Sequence, residues 1–223
     1  MGQKIHPNSI RLSLTKDWNS KWFANKKDFA NFLIEDIKIR QCILNHYGLN
    51  SGISKIIIER NPQELILNVH TSKPGILIGR QGKGINDLKE LLNKMNKLKI
   101  RLNVIEIKKP DLIAELVAAN IGQQITKRIS YRRAIKQAIE KTMQAGAKGI
   151  KVVASGRLQG AEIARKETMS QGTVPSSNLK KNIDFAIFHT KTTYGIIGIK
   201  VWIHIGDLSL NNINETTPSR QII

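Results

Sequence analysis

Four residues, Gly79-Arg80-Gln81-Gly82, followed at once by Lys83, form the arrangement best suited to chemistry in this chain. The two glycines let a ligand approach backbone with no Cβ in the way. Arg80 and Gln81 have no use in a core, but they can donate several hydrogen bonds. Lys83 falls near the start of the following helix, where free N–H groups already favour an anion. Such a loop grips an extended, negatively charged backbone. A second group, Arg132, Arg133 and Lys136, opens a later helix, with Lys127 and Arg128 just upstream. Arg132 and Lys136 are i,i+4 neighbours and Arg133 flanks them. Along the helix no acid comes before Glu140, so these cations are expected to be free of ion pairs and to suit phosphate. An ordinary solvated helix face stays open as the other reading. A third patch holds Arg157, in Ser155-Gly156-Arg157-Leu158-Gln159-Gly160, with Arg165 and Lys166 beyond it. A turn that merely exposes its charges would look the same.

Catalysis finds little support. His6, His46, His70, His189 and His204 are scattered without metal-ligand spacing. Ser155-Gly156 and Ser170-Gln171-Gly172 do not make a Gly-x-Ser-x-Gly elbow. Lys83 is followed by Gly84, and Leu77 stands where a Walker loop needs its first glycine. Glu162 and Glu167 read as partners for the arginines around them. The single cysteine, Cys42, lies among Ile43 and Leu44 and reads as a small buried hydrophobe. No catalytic residue, no metal site and no cofactor is expected.

The charge balance supports binding instead. Lys and Arg number 36 against 17 Asp and Glu, a net charge of +19. That excess repels itself in a compact body and is explained most simply by a polyanionic partner. No apolar run approaches the roughly 20 residues that span a bilayer. Met1-Gly2-Gln3-Lys4-Ile5-His6 lacks an apolar signal region and fails as a myristoylation site, so no membrane partner is expected. With one cysteine, a reducing compartment is the natural inference.

These residues need elements to hold them. The first 25 residues interleave Lys4, His6, Arg11, Lys16 and Lys21 with Trp18, Trp22 and Phe23. That pattern suits contacts to RNA or docking of the aromatics on their own domain. From Asp28 to Tyr47, Phe29, Phe32, Leu33, Ile37, Ile43 and Leu44 recur at helical spacing, and Gly48 marks the stop. Ile53 to Glu59 and Glu64 to His70 read as two strands around an Asn61-Pro62-Gln63 turn. The glycine loop leads into a helix carrying Ile85, Leu88, Leu91, Leu92 and Met95, and Lys99 to Lys108 alternates as a strand whose phase slips at Ile105, by a bulge or a strand end. A Gly-x-x-Gly loop between two helices is how KH modules clamp a short stretch of nucleic-acid backbone. Lys109-Pro110-Asp111 reads as a boundary. Beyond it come a helix with Ile113, Leu116, Val117, Ile121 and Ile125 inward, and one from Tyr131 with Ala134, Ile135, Ala138, Ile139 and Met143 inward. A strand containing Val152 and Ala154 follows, with Ala161 to Met169 pairing to it, then a hairpin of Asp184 to Thr192 and Ile196 to Ile205. In its last strand Ile199, Val201, Ile203 and Ile205 share one face, opposite Lys200, Trp202 and His204.

Several motifs in one order carry a resemblance. Met1-Gly2-Gln3-Lys4-Ile5-His6-Pro7-Asn8, the Gly75 to Gly82 loop, Tyr131-Arg132-Arg133-Ala134, Ala147-Lys148-Gly149-Ile150-Lys151-Val152, Ser155-Gly156-Arg157-Leu158, Gly160-Ala161-Glu162-Ile163-Ala164-Arg165 and Thr192-Thr193-Tyr194-Gly195-Ile196-Ile197-Gly198-Ile199-Lys200-Val201-Trp202-Ile203 are together similar to the bacterial-type family of small-subunit ribosomal protein three. The resemblance runs from Met1 to about Gly206. It implies an α+β fold, a type II KH domain followed by a two-layer α/β domain of two helices on a four-stranded antiparallel sheet. The expected organisation is a basic N-terminal segment (1–25), the KH domain (26–108), the C-terminal domain (109–206) and a disordered tail (207–223).

The resemblance also implies a structural, non-enzymatic role in the head of the small subunit. The protein would bind rRNA and line the mRNA entrance with an unwinding contribution. Lys4, His6, Arg11, Gly79, Arg80, Gln81, Gly82, Lys83, Arg157, Arg165 and Lys166 are the expected RNA-binding residues, and Arg132, Arg133 and Lys136 the expected mRNA-channel residues. Implied partners are small-subunit proteins ten and fourteen, with four and five around the mRNA entrance, in the bacterial cytoplasm or an organellar matrix or stroma. Gln137 departs from the family where relatives often carry a base, and Gln159 replaces a common glycine. A free-standing KH regulator of single-stranded RNA is the alternative, and a nucleic-acid lyase a third reading that no residue supports.

Overall fold

The computed structural model describes residues 4–12, 14–95 and 98–207. The chain forms two compact units. One is Trp18–Pro110; the other joins the described residues up to Asp17 to those from Asp111 to Asp207. Among the described residues the division between the units falls between Asp17 and Trp18, inside the N-terminal segment.

In the Trp18–Pro110 unit, β1 (Ser20–Lys21) precedes α1 (Lys26–Tyr47), then come β2 (Ile53–Arg60), β3 (Glu64–Thr71), α2 (Pro74–Ile78), a 3-10 turn over Arg80–Gly82, α3 (Lys83–Met95) and β4 (Lys99–Glu106). The sheet order is β1-β2-β3-β4. Only β2 and β3 run antiparallel; β1 lies parallel to β2, and β4 parallel to β3. Successive strand side chains point to opposite faces. Ile56 and Ile58, then Leu65, Leu67 and Val69, then Ile100 and Leu102 thus make one apolar face, covered by Ile39, Ile43, Leu77, Leu88 and Leu92 of the helices. β4 keeps register with β3 through Glu106, so the phase slip at Ile105 is a strand end and not a bulge.

The face that α1 buries differs from the expected one. Asp36, Ile39 and Ile43 are buried, whereas Leu33, Ile37 and Leu44 face outward. Asp36 can take an inward place because Ser20 Oγ (2.9 Å), Trp22 Nε1 (2.8 Å) and Arg60 Nη2 (3.1 Å) all donate to its carboxylate. Trp22 docks on its own unit, 5.4 Å from the Phe29 ring, but Phe23 does not and is 91% exposed. Leu91 is likewise more exposed than its helical spacing implied.

In the second unit a 3-10 turn over Pro110–Leu112 leads into α4 (Ala114–Thr126) and α5 (Tyr131–Gln144). The strands β5 (Gly149–Gly156), β6 (Arg165–Gly172), β7 (Lys181–Thr192) and β8 (Gly195–Asp207) form an antiparallel sheet in the order β6-β5-β8-β7. Val117, Ala118 and Ile121 of α4 and Ala134, Ile135 and Ala138 of α5 pack with Ile150, Val152, Ala154, Ile199, Val201 and Ile203. Small residues set the close fit: a Cβ on Gly122 would stand 2.6 Å from Phe188 Cε1.

The N-terminal segment belongs to this unit. The His6 ring packs perpendicular to that of Phe185 at 4.8 Å, and Phe185 lies 4.9 Å from Trp202. Lys16 Nζ pairs with Asp184 at 2.7 Å, and the other oxygen of Asp184 accepts the N–H of Ala114 at the start of α4. Asp184 thereby caps α4 from across the sheet. His204, expected to face outward, is buried; its Nδ1 lies 3.0 Å from the Thr173 carbonyl, and β7 shifts register beside it between Asn182 and Ile183. Asp207, placed in the tail from sequence, closes β8, and the rest of the tail lies outside the described residues.

Candidate RNA interface

The glycine loop is built by the packing of α2 against α3. Gly79 (φ +68°) ends α2 with its N–H on the Gly75 carbonyl, Gln81 is left-handed (φ +54°), and Gly82 follows at φ +77°. Positive φ at both glycines is the reason glycine stands there. A Cβ on Gly79 would come within 3.0 Å of Gly84 N, whereas one on Gly82 would meet nothing. Arg80, Gln81 and Lys83 are exposed, and Lys83 is the first residue of α3.

Two residues without an assigned role hold this loop. A Cβ on Gly84 would lie 2.7 Å from the Leu77 carbonyl, so only glycine lets the two helices meet so closely. The Tyr47 hydroxyl, at the end of α1, is shared between the Leu77 (3.0 Å) and Gly84 (2.9 Å) carbonyls. Burial, aided by the charge of Asp87, pushes that hydroxyl's pKa above its ordinary value, which keeps it a donor. Gly84 completes a Gly-x-x-Gly-x-Gly string that sequence shows plainly; nothing local marks Tyr47.

The α5 group is gathered as its spacing implies. Arg132, Arg133 and Lys136 line a shallow depression of about 520 Å³ with Ser130, Gln137 and Glu140. The expectation that all three cations stand unpaired is wrong for Arg132. Its Nη2 bonds Glu167 Oε1 at 3.0 Å and its Nε bonds Oε2 at 3.4 Å, while the Tyr131 hydroxyl donates to Oε1 at 2.6 Å. Glu167 lies on β6, 35 residues on, so no helical spacing could reveal it. Hydrogen bonds from Arg132 and then Tyr131 hold the Glu167 carboxyl below its ordinary range. The Arg132 side chain stays 64% exposed; Arg133 and Lys136 are exposed and have no partner among the described residues.

The third patch is scattered by comparison. Arg165 and Lys166 are exposed on β6, which forms an edge of the sheet. Arg157 is tied to its own turn, donating to the carbonyls of Ala161 (2.9 Å) and Tyr194 (3.4 Å) with its guanidinium 6.0 Å from the Tyr194 ring. At the N-terminus, Lys4 and His6 are exposed. Arg11 must be removed from the contact set. It is fully buried, and its guanidinium donates to the carbonyls of Pro7 (2.9 Å), Ser176 (3.1 Å), Asn178 (2.8 Å) and Lys181 (3.1 Å). A cation used in this way is a staple. Three of its four partners are backbone groups far along the chain, so sequence could not show it.

An α-β-β-α-α-β unit with a Gly-x-x-Gly loop between its second and third helices, in a chain whose second unit bears exposed cations, defines an RNA-binding protein of the KH class. Comparison with known proteins narrows the class. Residues 38–112 match the family described as KH domain, and residues 121–203 match the family described as ribosomal protein S3, C-terminal domain. The chain is 51% identical over 208 residues to small ribosomal subunit protein uS3 of Caldanaerobacter subterraneus subsp. tengcongensis, covering 93% of this chain and 94% of that one. It is 48% identical to the uS3 protein of Clostridium novyi, with coverage of 93% and 94%, and 48% identical to that of Clostridium botulinum (strain Hall), with coverage of 96% and 97%. The chain belongs to the uS3 family of small-subunit ribosomal proteins, which are not enzymes.

Proposed function

We propose that the protein is held in the head of the small ribosomal subunit of the bacterial cytoplasm by rRNA, and that Arg132, Arg133 and Lys136 face mRNA at its entrance and help to unwind it. The single observation that carries this reading is the pair of exposed cations, Arg133 and Lys136, unpartnered among the described residues and beside an Arg132 oriented by Glu167. A helix face that leaves like charges uncompensated is stabilised by a phosphate strand laid across it. Arg80, Gln81 and Lys83, with Gly79 and Gly82 giving access, are proposed to grip RNA backbone in the first unit. Lys4, His6, Arg157, Arg165 and Lys166 add rRNA contacts. Neighbours in the particle are proposed to be small-subunit proteins ten and fourteen, with four and five around the mRNA entrance.

The test is translation through a message bearing a stable hairpin, compared with an unstructured one, by ribosomes carrying Ala at 132, 133 and 136. These surface changes cost within about 0.5 kcal/mol of stability each, so incorporation into subunits survives. Slowing on the hairpin alone is expected. Equal rates on both messages would leave the cluster a solvated face.

A further inference from the structure

A cavity of about 740 Å³ opens in the second unit between the end of α4, the Arg157–Gly160 turn and the tip of the β7–β8 hairpin. Its floor is apolar, from Ile125, Ile129 and Ile197. Its rim carries three cations, Arg128, Arg157 and Lys191, and no carboxylate. One wall is the Tyr194 ring, 58% exposed and packed against Gly160, where a Cβ would come within 3.1 Å of it. Arg157 is anchored to the Tyr194 carbonyl, so that cation and ring are held together. An apolar cavity with an aromatic wall and a cationic rim complements one chemical group above others, a nucleobase with its phosphate.

We propose that this cavity receives a single unstacked nucleotide of an RNA strand, its base against Tyr194 and the isoleucine floor and its phosphate on Arg157, Arg128 and Lys191. The proposal rests on the reading of this chain as RNA-binding. A strand is favoured over a free nucleotide because the cavity shares Ser130 with the depression lined by Arg133 and Lys136. Gln159 Nε2 donates to Ser130 Oγ (3.2 Å) at the lip between them. A backbone gripped on α5 therefore passes the mouth of the cavity. Splaying a base out of the strand also opposes its pairing, which unites the cavity chemically with an unwinding surface.

Tyr47 and Tyr194 make the test direct, because they report different places. Tyr47 lies beneath the glycine loop and Tyr194 forms the cavity wall, while Tyr131 bonds Glu167 beside Arg132 and also touches the cavity. The full chain is labelled with 3-fluorotyrosine, and its fluorine resonances are assigned by single Tyr→Phe changes. It is then titrated with a short oligouridylate, with an abasic phosphodiester of the same length, and with uridine monophosphate. The Tyr194 resonance is expected to move with the oligouridylate and not with the abasic strand. Ile129→Trp, at a residue more than a third exposed, fills the cavity and is expected to abolish that movement while Tyr47 still responds. Tyr194→Ala is expected to lower oligouridylate affinity by about tenfold.

A still Tyr194 with a moving Tyr47 would overturn the cavity assignment and leave RNA binding intact. Absence of any oligonucleotide binding would remove the RNA reading itself, and this proposal with it. A Tyr194 that moves with uridine monophosphate but not with the oligonucleotide would assign the cavity to a free nucleotide and overturn the strand.

Discussion

Glu167 makes the three cations of α5 unequal, and the salt dependence of RNA binding should expose the inequality. Each phosphate neutralised on a single strand contributes about 0.7 to the slope of log affinity against log salt. Arg133 and Lys136 have no acidic partner among the described residues, so each contributes its full share. Arg133→Ala with Lys136→Ala should lower the slope by about 1.4. Over a fourfold rise in salt, the double variant should then lose about sevenfold less affinity than the parent. Arg132 is already neutralised by Glu167 at 3.0 Å, so Arg132→Ala should barely change the slope. Glu167→Gln frees Arg132 and should steepen the slope by about 0.7, while the amide oxygen still accepts from Tyr131. The assay is fluorescence anisotropy of a labelled oligouridylate between 50 and 200 mM salt. A loss of slope in Arg132→Ala equal to that in Arg133→Ala, with no gain in Glu167→Gln, would refute the reasoning. It would mean that RNA breaks the ion pair and takes Arg132 for itself.

Tyr47→Phe removes the hydroxyl shared by the Leu77 and Gly84 carbonyls; it should cost about 1 kcal/mol and raise amide hydrogen exchange at Gly79 to Gly84. Unchanged exchange there would show that helix packing alone holds the loop. Arg11→Met leaves four carbonyls without their donor and should destabilise the second unit by about 3 kcal/mol, read by denaturant titration. A surface role would predict almost no change. Because Glu167 is held below its ordinary value of 4.5, the pair's contribution is full above that pH and is lost as pH falls through the lowered value. The acid limb of a pH–stability profile should therefore differ between the parent and Glu167→Gln, and identical limbs would count against the pair.

Legibility in sequence followed the range of each interaction. The glycine loop could be read because its requirements, positive φ and a following helix, are met within six residues. The strands could be read because a half-buried strand alternates, as Leu65, Leu67 and Val69 do. The inward face of α1 was misread because hydrophobicity pointed to Leu33 and Ile37, while the buried position went to Asp36. That carboxylate is solvated by Ser20, Trp22 and Arg60, whose approach is a tertiary fact. Two-residue β1 has no periodicity to detect. Arg132 looked free because its partner comes from a strand, and Arg11 looked like an RNA contact because basic composition says nothing about who accepts its hydrogen bonds. Tyr194 lay in a quoted motif, yet only the cavity gives it a task.

The two units explain why a strongly basic N-terminus spends its best cation internally. The chain leaves the second unit at Asp17, builds the whole of Trp18–Pro110, and returns at Asp111. Residues 4–17 must therefore be held to a sheet whose partner strands begin more than 150 residues later, at Lys181. Closing so long a loop costs entropy that grows only slowly with its length, so a few strong contacts suffice. Arg11 on four carbonyls and Lys16 on Asp184 supply them. Those acceptors lie between Pro7 and Asp184, and all but Pro7 come after Val174, so the staple cannot form until β7 has been made. Until then Arg11 has only the Pro7 carbonyl, and Lys16 only Asn8, of the partners they hold in the native fold. The native fold thus draws Arg11 into the second unit only at the end.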